Sequence, residues 1–173
     1  MKLLYTVLLA GALTVAACKT ETERFTDVRR AAVADEVLAT LDAYGASINS
    51  ADFDMALTFY SEDSRFFWAE DGKVKYNSRA DISAAFAELA TYGKTKVEYG
   101  ERIVTVLSPE VATLLVEHKT TVASDRGEFS FSGLLTITLL KTGEDWKFVS
   151  GHTSTVRQRE EPPRDRQPAD RAR

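Results

Sequence analysis

The chain has 173 residues, with 22 basic and 26 acidic side chains and a formal net charge of −4. That acidic balance argues against nucleic acid as a partner, because the sequence-independent attraction to phosphate needs a surplus of cations. A single cysteine, Cys18, excludes an intramolecular disulfide, so stability has to come from a packed core.

The first segment has the parts of an export signal: cationic Lys2, the apolar run Leu3 to Val15, and small residues before Cys18. A membrane-spanning helix needs about 20 apolar residues, and here the polar stretch Lys19 to Arg24 follows at once. The stretch Val15-Ala16-Ala17-Cys18 resembles the lipobox of bacterial lipoproteins. The resemblance implies cleavage before Cys18 and acylation of that cysteine, and more than one acyl chain gives stable anchoring. The protein is therefore expected in the cell envelope, held to a membrane through its lipid. Lys19 stands where inner-membrane retention signals resemble Asp, which points to the outer membrane facing the periplasm. Loss of residues 1–17 removes Lys2 from the 22 bases, leaving 21 against 26 acids and a charge near −5.

Composition divides the chain into a signal peptide (1–17), a lipidated cysteine with polar tether (18–32), one domain (33–156) and a tail (157–173). The tail from Arg157 to Pro168 offers nothing apolar to bury and holds three prolines, so it is expected to be disordered.

Within the domain, Val33, Val37, Leu41, Tyr44 and Ile48 recur at spacings of three and four, which predicts a long amphipathic helix. Ser50 and Asp52 offer caps for a shorter helix in which Phe53, Ala56, Leu57 and Tyr60 share a face. The extended run Arg65 to Trp68 turns at Asp71-Gly72 and returns through Val74 and Tyr76 as a hairpin. A third helix is predicted from Ser78, with Asp81 three residues on as in a capping box. It buries Ile82, Ala85, Phe86 and Leu89, and Gly93 stops it. From Lys96 onward, long alternating runs break at Ser108-Pro109-Glu110, Asp125-Arg126-Gly127 and Thr142 to Asp145, which predicts four antiparallel strands in a meander. Helices first and strands afterwards give an α+β class, with helices packed on one face of a curved sheet that encloses a pocket.

At these residues a family resemblance appears. The run from Tyr44 to Tyr60, the acidic link Ser61-Glu62-Asp63 and the ending Asp145 to Ser154 are similar to the NTF2-like superfamily, in its SnoaL-like and DUF4440-type branch, over about residues 33 to 156. The resemblance implies a cone-shaped α+β fold: three N-terminal helices on a mainly antiparallel sheet, with a pocket between them and often a homodimer through the outer sheet face. It does not imply an activity, since the fold hosts enzymes, binders and interaction modules.

Ketosteroid isomerase, a member of that superfamily, needs an aspartate base and an oxyanion hole of a tyrosine and a protonated aspartic acid. Tyr44 falls at the family's tyrosine position, but Trp68 stands at the base position and Gly133 to Leu140 holds no acid. Steroid-type isomerisation is not expected.

Two histidines remain for other pocket chemistry. Alternation puts His118 on one face with Leu114, Val116 and Val122, and His152 on one with Trp146, Phe148 and Ser154. Both faces are expected to point inward. Either ring could serve as general base, or could be a hydrogen-bonded part of a polar core. Asp63 could orient a histidine, as the acid–histidine pair of dehydratase members implies, or cap the turn after the second helix. The candidate catalytic set is thus His152, His118, Tyr44 and Asp63.

The candidate ligand-binding set is Tyr44, Tyr60, Trp68, Phe86, Phe131 and His152, aromatic walls with a few polar handles. A plain core has the same composition. No Gly-rich phosphate loop, nucleophile elbow or short metal-ligand spacing occurs, so neither cofactor nor metal is expected. Three readings stay open: a binder of a small apolar or amphipathic molecule, a lyase or isomerase with a histidine base, and an envelope interaction module.

Overall fold

The computed structural model describes residues 25–125 and 127–156. The signal peptide, Cys18, tether residues 19–24 and the tail beyond 156 lie outside these residues, whereas residues 27–32, expected as tether, are helical. Among the described residues no helix is long and apolar enough to cross a membrane.

The first helix, α1 (Asp27–Asn49), begins earlier than the apolar stripe suggests. Residues 27–32 are exposed, so no buried position marks them in the sequence. The Thr26 hydroxyl caps the helix by accepting the Arg29 N–H at 3.3 Å. Val33, Val37, Leu41 and Ile48 are buried along one stripe, as the spacing predicts. In α2 (Phe53–Thr58), Asp52 caps by accepting the Met55 N–H, whereas the Ser50 hydroxyl bonds back to the Ser47 carbonyl at the end of α1. The hairpin strands are β1 (Phe67–Glu70) and β2 (Lys73–Tyr76). Its turn uses positive φ at Asp71 (45°) and Gly72 (86°), the pair of conformations for which Asp-Gly is suited. The third helix, α3 (Arg79–Tyr92), is capped by Ser78, whose hydroxyl accepts the Asp81 N–H at 3.2 Å.

Four long strands follow: β3 (Lys94–Ser108), β4 (Val111–Ser124), β5 (Gly127–Thr142) and β6 (Asp145–Thr155). They form the expected meander, and the hairpin joins it to give a six-stranded sheet in the order β2-β1-β6-β5-β4-β3. The β1–β6 pair is parallel and all other pairs are antiparallel. The fold is α+β, with the helices packed on the concave face of this curved mixed sheet.

Two bulges decide which side chains reach that face. In β3, Tyr99 pairs with His118 and Arg102 with Val116, so Gly100 and Glu101 together oppose Glu117. In β6, Ser150 pairs with Thr138 and Phe148 with Leu139, so Val149 is the extra residue. An extra residue reverses the inward and outward parity beyond it. Just before Val149, the Phe148 backbone is held on its other edge, its N–H donating to the Phe59 carbonyl and its carbonyl accepting the Ser61 N–H.

The core sits at one end of the cone. Val37, Leu41, Leu114, Val116, Ile137, Leu139 and Phe148 are fully buried there. Helix α1 runs from that closed end to the open one. Near its start Arg30 Nη1 donates to the Val106 carbonyl at 3.1 Å, and Glu36 accepts from Lys141 Nζ (2.7 Å) and Trp146 Nε1 (2.9 Å). At its end the Asn49 side chain exchanges two hydrogen bonds with the Val97 backbone.

Candidate functional site

A cavity of about 370 Å³ occupies the open end, between α3, the second half of α1, the hairpin and the sheet. Its floor is aromatic. The Tyr44 hydroxyl from α1 meets the Tyr60 hydroxyl at 2.8 Å, and the Tyr44 ring sits edge-on to Phe148 at 5.2 Å. Tyr60 packs in turn against Trp68 at 5.6 Å and against Phe66 and Phe86 at 6.0 Å. Burial, which disfavours a phenolate, pushes both tyrosines up, so they are neutral hydrogen-bonding groups.

Trp68 is held against β6 by two features. Its indole N–H donates to the Thr153 hydroxyl at 3.1 Å. Its ring lies over Gly151, where an added Cβ would come within 2.3 Å of the ring carbons. A glycine is required at this close approach.

The sheet wall comes from Thr95, Val97 and Tyr99 of β3, His118 and Thr120 of β4, and Phe131 and Leu135 of β5. His118 is 7% exposed, and its Nδ1 faces the Thr120 hydroxyl at 3.4 Å. Burial lowers its proton affinity, so the ring is neutral in ordinary conditions. Its Nε2 is buried without a hydrogen-bond partner, as are the Thr95 and Tyr99 hydroxyls. Each such group forgoes about 1–3 kcal/mol of hydrogen bonding. All three belong to residues that line this cavity, and buried polar groups without partners are rare enough to single out the place where they cluster.

The rim holds the charges. Glu70 Oε2 accepts from Lys75 Nζ at 2.7 Å, and that ammonium lies 5.3 Å from the centre of the Tyr76 ring. The hydrogen bond it donates to Glu70 raises the lysine above its ordinary range. On α3, Glu88 accepts from the Tyr92 hydroxyl at 2.7 Å.

Of the sequence-predicted residues, Tyr44, Tyr60, Trp68, Phe86, Phe131 and His118 all line this cavity. His152 does not. Past the Val149 bulge, Gly151 and Thr153 take the inward positions and His152 is exposed on the outer face, so alternation from Trp146 and Phe148 misplaces it. Asp63 is also elsewhere: it accepts from the Arg65 backbone N–H (2.8 Å), Nε (2.9 Å) and Nη2 (2.6 Å). The guanidinium holds its carboxyl well below the usual range, and it orients no histidine. It closes the turn after α2 instead.

The sequence reading missed Tyr99, Tyr92, Thr95, Glu70, Lys75, Glu88 and Thr153. Thr95, Val97 and Tyr99 alternate on β3, and Glu88 and Tyr92 continue the Phe86–Leu89 stripe of α3, so these had a periodic signal. Thr153 had none, because the bulge hides it. Among the described residues no group of three or more His, Cys, Asp or Glu could hold a metal ion.

An aromatic cavity at the open end of a helix-lined, curved six-stranded sheet is the architecture the sequence resemblance implies, and the model of the SnoaL-like domain matches residues 37–158. The chain belongs to that family. Its fold is NTF2-like, as three solved structures illustrate. A protein of unknown function from Mycobacterium tuberculosis has a TM-score of 0.66 at 19% identity, covering 78% of each chain. An NTF2-like superfamily protein from Salmonella enterica has a TM-score of 0.65 at 14% identity, covering 75% of this chain and 95% of its own. The type 2 hexachlorocyclohexane dehydrochlorinase LinA has a TM-score of 0.64 at 11% identity, covering 75% and 89%. At these identities the likeness is one of fold. No curated protein matches the chain.

Proposed function

We propose that this is a lipid-anchored envelope protein whose SnoaL-like domain binds a small apolar or amphipathic molecule in the aromatic cavity. The observation that carries the reading is a 370 Å³ cavity whose wall holds three buried polar atoms without partners. A volume of this size suits a small organic ligand, and apolar walls with a few polar groups are what such sites use. Native mass spectrometry of the full chain should reveal a co-purifying small molecule. Ala85→Trp, which fills the cavity from α3, should lose it. A cavity empty in repeated preparations, or equal retention by the filled variant, would overturn the reading.

A second reading, a lyase or isomerase, is favoured by one observation: His118 is neutral, lines the cavity and has a free Nε2. A neutral imidazole can accept a proton from a bound substrate, with Tyr44 as hydrogen-bond donor. LinA, an enzyme of similar fold, keeps this class open. The co-purified molecule separates the two: chemical conversion by the wild type that His118→Gln abolishes makes the domain an enzyme, and unchanged release makes it a binder.

Membrane attachment rests on the lipobox-like stretch ending at Cys18. Radiolabelled fatty acid should enter the wild-type protein and not Cys18→Ser, and equal labelling would remove the anchor. We also place a homodimer contact on the outer sheet face, where Phe67, Ile103 and Leu134 are 44%, 51% and 44% exposed.

A further inference from the structure

The charged residues of the cavity are arranged in a way that bears on which amphiphile it accepts. Two carboxylates, Glu70 and Glu88, and one ammonium, Lys75, belong to its lining, a net charge of −1 with His118 neutral. Lys75 is already committed to Glu70 at 2.7 Å. Glu88 has the Tyr92 hydroxyl as its partner and no cation among the described residues. The cavity therefore offers an incoming anion no free positive group, and offers an incoming cation one carboxylate that lacks a counter-ion.

The aromatic content points the same way. Five of the six tyrosines of the chain line the cavity, together with Trp68, Phe86 and Phe131. The faces of such rings attract cations, most strongly once water is excluded. The site already contains one instance, Lys75 over Tyr76 at 5.3 Å. The polar atoms left unsatisfied among the lining residues, the Thr95 and Tyr99 hydroxyls and His118 Nε2, are all uncharged groups, so none of them offers an incoming anion a positive partner.

We infer that the cavity selects amphiphiles with a cationic end, an amine or quaternary ammonium, over those ending in a carboxylate, with Glu88 as the selecting group. The inference rests on the binding reading above and adds the sign of the ligand.

A matched probe series tests it on the full chain: 3-phenylpropyltrimethylammonium, 3-phenylpropanol and 4-phenylbutanoate, titrated by calorimetry at low and at physiological salt. The ammonium should bind about tenfold tighter than the carboxylate, with the alcohol between, because a single rim carboxylate contributes on the order of one factor of ten. Added salt should narrow the ratio. Glu88→Gln keeps the acceptor for Tyr92 and should narrow the ratio of ammonium to alcohol severalfold, to the part that the aromatic faces contribute. Alcohol binding equal to or tighter than ammonium, or carboxylate binding tightest, overturns the charge preference while leaving the binding reading intact. Failure of all three probes overturns both. An ammonium preference undiminished in Glu88→Gln overturns the assignment to Glu88.

Discussion

His118 is buried in the folded chain at a position where its proton affinity is lowered by loss of solvent. In the unfolded chain a histidine titrates near pH 6.5. Below that pH the unfolded state takes up a proton that the folded state resists, so folding stability is present at neutral pH and declines as pH falls towards the folded-state value. The melting temperature should drop between pH 7.5 and pH 5.5, and His118→Gln should shrink the drop. An equal fall in both proteins would show that His118 does not carry it. The residue was legible because Leu114, Val116, His118 and Val122 alternate along a strand with no irregularity among them. Partnering was harder to read. The pairing of the Tyr44 and Tyr60 hydroxyls joins residues sixteen apart across a helix and a loop, and no local spacing marks it. Asp63 found its partner two positions away in Arg65, a short-range contact that outcompetes any distant imidazole.

Among the elements, the helices and strands could be read with fair completeness because caps, turns and period act locally. Thr26, Asp52 and Ser78 each cap a helix, and Asp71-Gly72 takes the positive φ angles its turn demands. The bulges could not be read. One extra residue at Val149 depends on how β5 and the segment around Tyr60 grip β6 from both sides, which is a tertiary matter. It sends His152 outward and brings Gly151 and Thr153 to the cavity. Two neighbouring substitutions should therefore behave very differently. Gly151→Ala puts a methyl into the Trp68 ring and should cost about 1–3 kcal/mol through strain in a packed site, with weaker ligand binding as Trp68 is displaced. His152→Ala, on an exposed position, should stay within about 0.5 kcal/mol. Urea unfolding measures both, and comparable losses in the two variants would mean the β6 register is not as described.

At the scale of the molecule, the outer sheet face presents Phe67, Ile103 and Leu134 among threonines and serines, an apolar set that a second copy would cover. Sedimentation at micromolar concentration should give a dimer for the wild type and a monomer for Leu134→Lys. A wild-type monomer would remove the homodimer proposal. Helix α1 adds a constraint on where the ligand comes from. Its 23 residues rise about 35 Å, from Arg30 beside the end of β3 to Asn49 beside its start. The chain thus enters the domain at the packed end, and the cavity opens at the other. For a domain tied to a bilayer through Cys18, the mouth would point away from its own membrane. A guest would then arrive by diffusion through the surrounding fluid, or be handed over by something facing the domain across that fluid, rather than slipping in sideways from the lipid that holds it.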